Sequence, residues 1–482
     1  MSIIQDAYRG GRWLALFKAI SQSLSWIFTI IIARILVPED YGLMEMATII
    51  TGFVGLFSQL GLGTAIIQRE EIKDQELSSL FWFMIGWGLV LSVMCVILAY
   101  PTVRIFDERR LLRVTQSVGI LYILGSLIIV PQNLLHRQLR FKTIGFIEGI
   151  SVTISCLLMI LIAKLGAGVW TLICGHISRE LITVIMIYSI MSWRPRFHFY
   201  LPEIKPYIKF GLNVAGASSL RYIYSKSDRF FGGRILGPHI LGYYSLALSL
   251  AVIPIDKLVT LINTIAFPVF SRYQNKKQDF NNLYLILVRM ISFIVFPIYM
   301  GGFFLADQLI PAALGHKWNS AITPFKILCL AQIIVAVTTS NDIANNAQGR
   351  PHWPLRISFI YATFLPFSFY VASKYGLNFL AAPWISVFPL INVIYSYFTL
   401  RQLGVKIIDY IKTILHPILA TLTMLFFLIM LREFYFTAFS HLAPSINYYL
   451  VCSIMSGMII YILYILIFQR QILLSFLSSA RS

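Results

Sequence analysis

"ARILVPEDYG", residues 33–42, is answered 200 positions later by "GRILGPHILG", residues 233–242. Arg34, Ile35, Leu36, Pro38 and Gly42 return as Arg234, Ile235, Leu236, Pro238 and Gly242. In each copy one apolar stretch ends before the proline and another opens near the glycine. Proline stops a helix, glycine permits a tight reversal, and arginine can extend its charged head to a membrane surface. The shared pattern R-I-L-x-P-x-x-x-G therefore reads as one structural turn between two helices, written twice. The same register aligns Ala15 with Ala215, Ser25 with Ser225 and Ala47 with Ala247.

Composition says what those helices cross. The chain has 482 residues, 58% hydrophobic and 12% charged, with a mean hydropathy of +0.77. Soluble domains carry about 25% charged residues, so this is a polytopic membrane protein. Fourteen apolar spans are predicted near 13–36, 42–66, 78–100, 112–135, 143–164, 168–191, 208–235, 241–268, 283–306, 322–346, 355–373, 379–400, 412–431 and 446–468. Each copy of the turn lies between the first two spans of a group of six, and the basic stretch "WRPRFHFYLPEIKP", 193–206, separates the groups. The expected fold is all-α and integral to the membrane, with about fourteen transmembrane helices in two pseudo-symmetric six-helix lobes. The lobes are expected at 1–192 and 207–400, joined by a cytoplasmic connector at 193–206. Residues 401–482 are expected to add two helices and a cytoplasmic tail.

Loop charge orients the spans. With the N-terminus inside, Arg137, Arg140, Lys142, Arg194, Arg196, Lys205, Arg272, Lys276 and Lys277 all fall in inside loops, so both termini are expected in the cytoplasm. The segment "RIFDERRLLR", 104–113, argues back: it is basic yet falls outside, offset in part by Asp107 and Glu108. The N-terminal stretch has no cleavable signal pattern, and its apolar segment reads as a retained first helix. The net charge of +19 comes in short runs between apolar segments rather than on one face, which excludes nucleic acid as the expected partner. Cys95, Cys156, Cys174, Cys329 and Cys452 lie within apolar segments with no metal-ligand spacing. Neither a metal nor a cofactor is expected.

Polar stripes mark the helices that line an interior. Lys18, Gln22, Ser25 and Thr29 share one helical face of the first span; Ser218, Arg221, Ser225 and Asp228 share one face of the seventh. An ionised side chain at a helix centre costs about 2.5–3.5 kcal/mol. Arg221, Lys226, Asp228 and Arg229 would together cost roughly 10 kcal/mol facing lipid, so they must pair, reach a surface or meet water. Lys18, Arg221, Lys226, Asp228 and Arg289 are the candidates for a cationic, substrate-binding cleft, with Asp228 the expected ion-pair partner of Arg221. Glu148, between Gly145 and Gly149, and Asp228 are the candidates for ion coupling. Arg34, Pro38, Gly42, Arg234, Pro238 and Gly242 are turn residues.

The sequence contains no G-x-x-x-x-G-K-[ST], no H-E-x-x-H, no G-x-S-x-G and no long outside loop to hold a catalytic surface. A transporter is expected rather than an enzyme. An integral-membrane glycosyltransferase or polymerase is the less favoured alternative. A drug or cation antiporter would suit an acidic cleft, and here the stripes are mainly basic.

The ordered stretches "LVPEDYG" (36–42), "GLGTAIIQR" (61–69), "LFW" (80–82), "HRQLRFK" (136–142), "GAGVW" (166–170), "SDRFFGGRILGPHILGYYSLA" (227–247) and "FPVFSR" (267–272) carry a further reading. Together the chain resembles the polysaccharide exporters of the multidrug/oligosaccharidyl-lipid/polysaccharide flippase superfamily, especially the colanic-acid and teichuronic-acid branch. The resemblance covers about residues 5–400. It implies a two-lobed, alternating-access carrier of undecaprenyl-diphosphate-linked oligosaccharide repeat units in the cytoplasmic (inner) membrane, working beside polysaccharide polymerase and export machinery. Asp228, Gly233, Arg234 and Gly237 fall on the family pattern, which usually has a neutral polar residue where this chain has Lys226.

Overall fold

Proline and glycine set the helix breaks in the computed structural model of the chain, which describes residues 24–58, 66, 72–438 and 446–469. In order the helices are α1 (Leu24–Ile35), α2 (Pro38–Gly55), α3 (Asp74–Phe106), α4 (Leu111–Arg137), α5 (Phe141–Lys164), α6 (Trp170–Ile190), α7 (201–236) and α8 (238–272). They continue as α9 (Lys277–Leu314), α10 (His316–Ala347), α11 (His352–Ser373), α12 (Leu377–Leu403), α13 (Ile407–Ala438) and α14 (Ile446–Phe468). The described part of each expected span falls on one of these helices; residues 13–23 of the first and most of 59–66 of the second lie outside the described residues. All regular structure among the described residues is helical. Eleven stretches are long and apolar enough to cross a membrane, one of them, Ser218–Asp256, running through the break between α7 and α8. The protein is an all-α, multi-pass membrane protein. From α3 to α13 the longest connection is residues 191–200.

The break between α7 and α8 is local. Gly237 alone leaves helical geometry, at φ 80° and ψ 175°, a region that only glycine occupies without strain. Pro238 then opens α8, having no N–H to lose.

The chain divides into two compact units, Met1–Gly242 and Tyr243–Ser482. In the first, Leu80, Phe81 and Met84 of α3 pack with Ile128 and Leu135 of α4, Ile144 and Ile147 of α5, and Ile187 of α6. The stretch 191–200 is strapped onto the start of α3. Trp82 Nε1 donates to the Arg196 carbonyl at 2.8 Å, and the Ser78 and Ser79 hydroxyls accept the Arg196 and Tyr200 amides at 3.0 and 3.2 Å. These bonds satisfy backbone groups that a connector without regular structure would otherwise leave open.

In the second unit, α13 and α14 pack on each other and on α9, where Tyr461 donates to the Phe293 carbonyl at 2.8 Å. A buried polar network ties α9, α10 and α12: Tyr284 donates to Asn341 at 2.7 Å, Asn341 to Ser396 at 2.9 Å and Asn345 to Thr399 at 3.0 Å. Such bonds average about 0.6 kcal/mol within a membrane, so they fix helix register more than they add stability. Leu89, Val93 and Ile97 of α3 and Ile459 and Ile462 of α14 are exposed, as side chains facing lipid should be.

Candidate functional site

The repeated turn becomes a contact. Gly42 packs against the backbone carbonyl of Pro238, and Gly242 packs against the backbone carbonyl of Pro38. A methyl group at either glycine would overlap the opposing proline oxygen. The relation is reciprocal: residue 42 meets 238 and 242 meets 38, the signature of a two-fold contact between equivalent segments. Glycine is required here by close backbone approach, not by torsion. Arg34 and Arg234 are both exposed at the ends of their helices. Further along the register, Ala47 and Ala247 are each fully buried.

Just past this crossing, α2 and α7 meet through charge. Glu45 Oε1 accepts Lys226 Nζ at 3.0 Å and Arg229 Nη1 at 3.1 Å. Asp228, whose side chain is 0% exposed, accepts the Arg229 amide at 2.7 Å and Arg229 Nε at 3.2 Å. Among the described residues, two carboxylates and two cations thus pair in one network inside a membrane-spanning region, which offsets part of the insertion cost of four separate ions. The Tyr222 hydroxyl, one turn before Lys226, contacts the Thr48 and Ile49 carbonyls at 3.1 and 2.8 Å and fixes α7 against α2.

The candidates therefore separate. Asp228 pairs with its neighbour Arg229 and forms no ion pair with Arg221, which corrects the expected partnership; adjacency lets one guanidinium close on the Asp228 carboxylate and reach Glu45 together. Lys226 is neutralised by Glu45. Arg229 pairs with both Glu45 and Asp228. Arg221 is exposed on α7 with no ion-pair partner among the described residues. Arg289 of α9 is half-buried in the second unit, and its Nε is buried without a hydrogen-bond partner. Glu148 lines a cavity among α4, α5 and α6. Lys18 lies outside the described residues, as does the aligned Ala15.

Glu45 is the residue that sequence reasoning left without a role. It was recognisable as the lone carboxylate of the second span beyond the turn, and only the crossing of the two turns brings it to α7. The extramembrane segment 107–110 shows a second missed pairing. Arg110 Nη2 lies 2.6 Å from Glu39 and 2.8 Å from Glu108, so part of the positive charge that weighed against the topology is neutralised where it stands.

Similarity to known proteins agrees with this architecture. The model of the family described as "Polysaccharide biosynthesis protein" matches residues 31–323. The chain is 25% identical over 430 residues to the lipopolysaccharide biosynthesis protein WzxC of Escherichia coli, covering 86% of each chain. It is 22% identical over 431 residues to the teichuronic acid biosynthesis protein TuaB of Bacillus subtilis, covering 88% of each. Among solved structures, the lipid II flippase MurJ in an inward closed conformation aligns with a TM-score of 0.72 at 16% identity, over 95% of this chain and 100% of that one.

Proposed function

The chain belongs to the polysaccharide biosynthesis protein family, and from that membership we propose that it is a flippase for undecaprenyl-diphosphate-linked oligosaccharide repeat units. The observation that carries this reading is the family match laid over a fold made of membrane-spanning helices with short connections. Such a chain offers a path across the bilayer and little surface for extramembrane catalysis. The names of its relatives place them in the synthesis of lipopolysaccharide and teichuronic acid, and it shares its fold with a protein named a lipid II flippase.

The polar residues suit an anionic cargo. Arg221 keeps an uncompensated positive charge on a membrane-spanning helix, and a diphosphate linkage is the kind of group that offsets it. Lys18, by its register with the α7 stripe, is assigned the same task; Arg289 is assigned a matching one in the second unit. Lys226, Asp228 and Arg229 hold α7 to α2 in the state described here. In this reading the lobes 1–192 and 207–400 alternate in exposing the cargo site, and the residues beyond 400 are an addition to them. The protein is assigned to the cytoplasmic membrane with both termini inside, where basic loops meet the anionic leaflet from which cargo is taken.

The test is mass spectrometry of polyprenyl-linked glycans, with leaflet sidedness, in cells lacking the gene. Repeat units should accumulate on the cytoplasmic leaflet and clear when the wild-type chain returns. Arg221→Ala should fail to clear them at normal protein abundance in the membrane. Unchanged glycan lipids in the deletion, with altered resistance to cationic drugs, would favour the antiporter instead.

A further inference from the structure

Two cavities lie within the first unit, and the charge network described above touches neither. One, of about 330 Å³, is lined by Tyr122, Ser126 and Gln132 of α4 and by His176 and Glu180 of α6, with Gly88 and Leu91 of α3. The other, of about 290 Å³, is lined by Gln132 of α4, Glu148 of α5, and Arg179, Glu180 and Thr183 of α6. Ile128, Gln132 and Glu180 belong to both walls, so Glu180 stands where the two cavities meet. Either volume accommodates several waters.

Position makes these groups unusual. Arg179 and Glu180 lie nine to eleven residues from either end of α6, about 15 Å of helix on each side. That places them near the centre of a hydrocarbon layer about 30 Å thick. Ionised groups at that depth must face a bundle interior or water, and the cavities supply such a face: Glu148 and Glu180 line it half-buried, while Arg179 and His176 are exposed. No ion pair closes among Glu148, Arg179 and Glu180, while every charge of the α2–α7 network is paired. The other titratable groups beside them are His176, one turn before Glu180; Tyr122, whose hydroxyl already donates to the Thr51 carbonyl; and the buried Cys156 thiol of α5, which lies in the field of Arg179. Ser58, just past the end of α2, and Gly88 and Leu91 of α3 also line the first cavity and do not titrate.

We propose that this paired cavity is a proton-binding site, in which Glu148 and Glu180 compete for the single guanidinium of Arg179. Two carboxylates beside one guanidinium leave one negative charge without a counter-ion. At membrane depth, where bulk counter-ions do not reach, that charge is relieved by one proton. Whichever carboxylate faces Arg179 stays ionised, and the other carries the proton. A small rotation of α5 against α6 would exchange the roles. The proton is thereby handed between two carboxylates on different helices, with Gln132 between them as a neutral hydrogen-bonding bridge. A metal cation is disfavoured by Arg179 inside the same cavity. Among the described residues no group of three or more His, Cys, Asp or Glu could hold one. As a coupling site for transport the proposal rests on the flippase reading; as a proton site it does not.

The experiment keeps those two apart. Full-length protein in lipid nanodiscs is titrated from pH 5 to pH 8 and read by infrared difference spectroscopy in the carbonyl-stretch region of protonated carboxyl groups. One protonated carboxyl is expected in the wild type, its signal falling as pH rises. Glu180→Gln and Glu148→Gln should each remove that titrating signal. Arg179→Gln should raise the pH at which it disappears, because the ionised form loses its counter-ion. His176→Gln should leave one titrating carboxyl. A wild-type spectrum with no titrating carboxyl, or one unchanged in both glutamate variants, overturns the proposal. The same proteins in liposomes are then tested for lipid-linked glycan translocation under an imposed pH gradient. Translocation that keeps full gradient dependence in both glutamate variants overturns the coupling role. A titrating signal without any glycan translocation in the wild type sinks the flippase reading and leaves the proton site standing.

Discussion

At residues 36–38 the chain passes from α1 to α2 through Val37 in extended backbone, at φ −93°. At residues 236–238 it passes from α7 to α8 through Gly237 at φ 80°. The first passage is stabilised by a side chain: the Val37 amide donates to Asp40 Oδ2 at 3.1 Å, as an N-cap exchange requires. The second has His239 and Ile240 where the first has Glu39 and Asp40, and makes its bend with glycine torsion. Yet both present a proline carbonyl to the other's glycine. Charge diverges further along the helices. Lys226, Asp228 and Arg229 align with Trp26, Phe28 and Thr29, and Glu45 aligns with Ser245. The packing surfaces were kept in duplicate because each constrains the other. The charges differ between the copies, and among the described residues only the α2–α7 side of the repeat holds an ion network. Part of the older stripe persists, since Thr29 donates to the Ser25 carbonyl and Arg229 to the Ser225 carbonyl at the equivalent step.

The largest effect is expected where the copies are alike. Gly42→Leu and Gly242→Leu each place a side chain against a proline backbone that cannot move aside, and overpacking of this kind should exceed about 3 kcal/mol. Both variants should be nearly absent as monodisperse protein after detergent extraction and size-exclusion chromatography. The two losses should match. A tolerated substitution at one position and collapse at the other would break the reciprocal contact.

Next comes the charge that only one copy holds. Glu45→Ala leaves Lys226 and Arg229 with one carboxylate between them, a loss of about 2–3 kcal/mol for a partly buried pair. Adding Lys226→Met should restore part of that, read as thermal unfolding of the purified protein. Ser245→Ala, at the aligned position, should change little, because the buried Ser245 hydroxyl has no hydrogen-bond partner to lose. Equal damage at 45 and 245 would mean that the network is not specific to α2 and α7.

Torsion gives a smaller difference. Gly237→Val forces a branched side chain into backbone that only glycine adopts freely, at about 1–2 kcal/mol. Val37→Gly, the reverse exchange, should cost a few tenths, since extended backbone suits both residues. Unfolding midpoints of the two variants should rank in that order.

How far the sequence could be read follows the same division. The helices were legible because each span carries its own apolar length and its own proline or glycine stop, and lipid imposes that pattern locally. The breaks at Pro38 and Pro238 were legible from the repeat itself; Gly42 and Gly242, expected to permit a reversal, lie inside α2 and α8 and serve close packing instead. The partnership of Arg221 with Asp228 was misjudged because shared face on one helix says nothing of what a second helix brings. Glu45 arrives from α2 only when Gly42 crosses Pro238. Glu180 gave still less warning: one carboxylate beside an arginine looks like a local pair until α4 and α5 close cavities around it.

The smallest expected effect belongs to the first turn's acidic residues. Arg110 ties Glu39 to Glu108 and is itself half-exposed, so the tie is worth about 0.2–1 kcal/mol. The hydrogen bond from Arg110 holds the Glu108 carboxyl below the ordinary range, against some desolvation. A lowered carboxyl pKa stabilises the fold above the unfolded value, about 4.3. That contribution is lost as pH falls through the lower, folded value. Arg110→Gln should therefore lower the unfolding midpoint by something on the order of 1 °C at pH 7. The gap to wild type should stay constant down to about pH 5 and close below about pH 4. High salt should narrow it at pH 7 as well, because the pair is exposed. A gap that persists at pH 3 and in salt would show that Arg110 acts by packing, and the charge difference between the two turns would then reduce to the Asp40 cap. No equivalent effect is expected at the second turn, where His239 and Ile240 offer no carboxylate for a cation to bind.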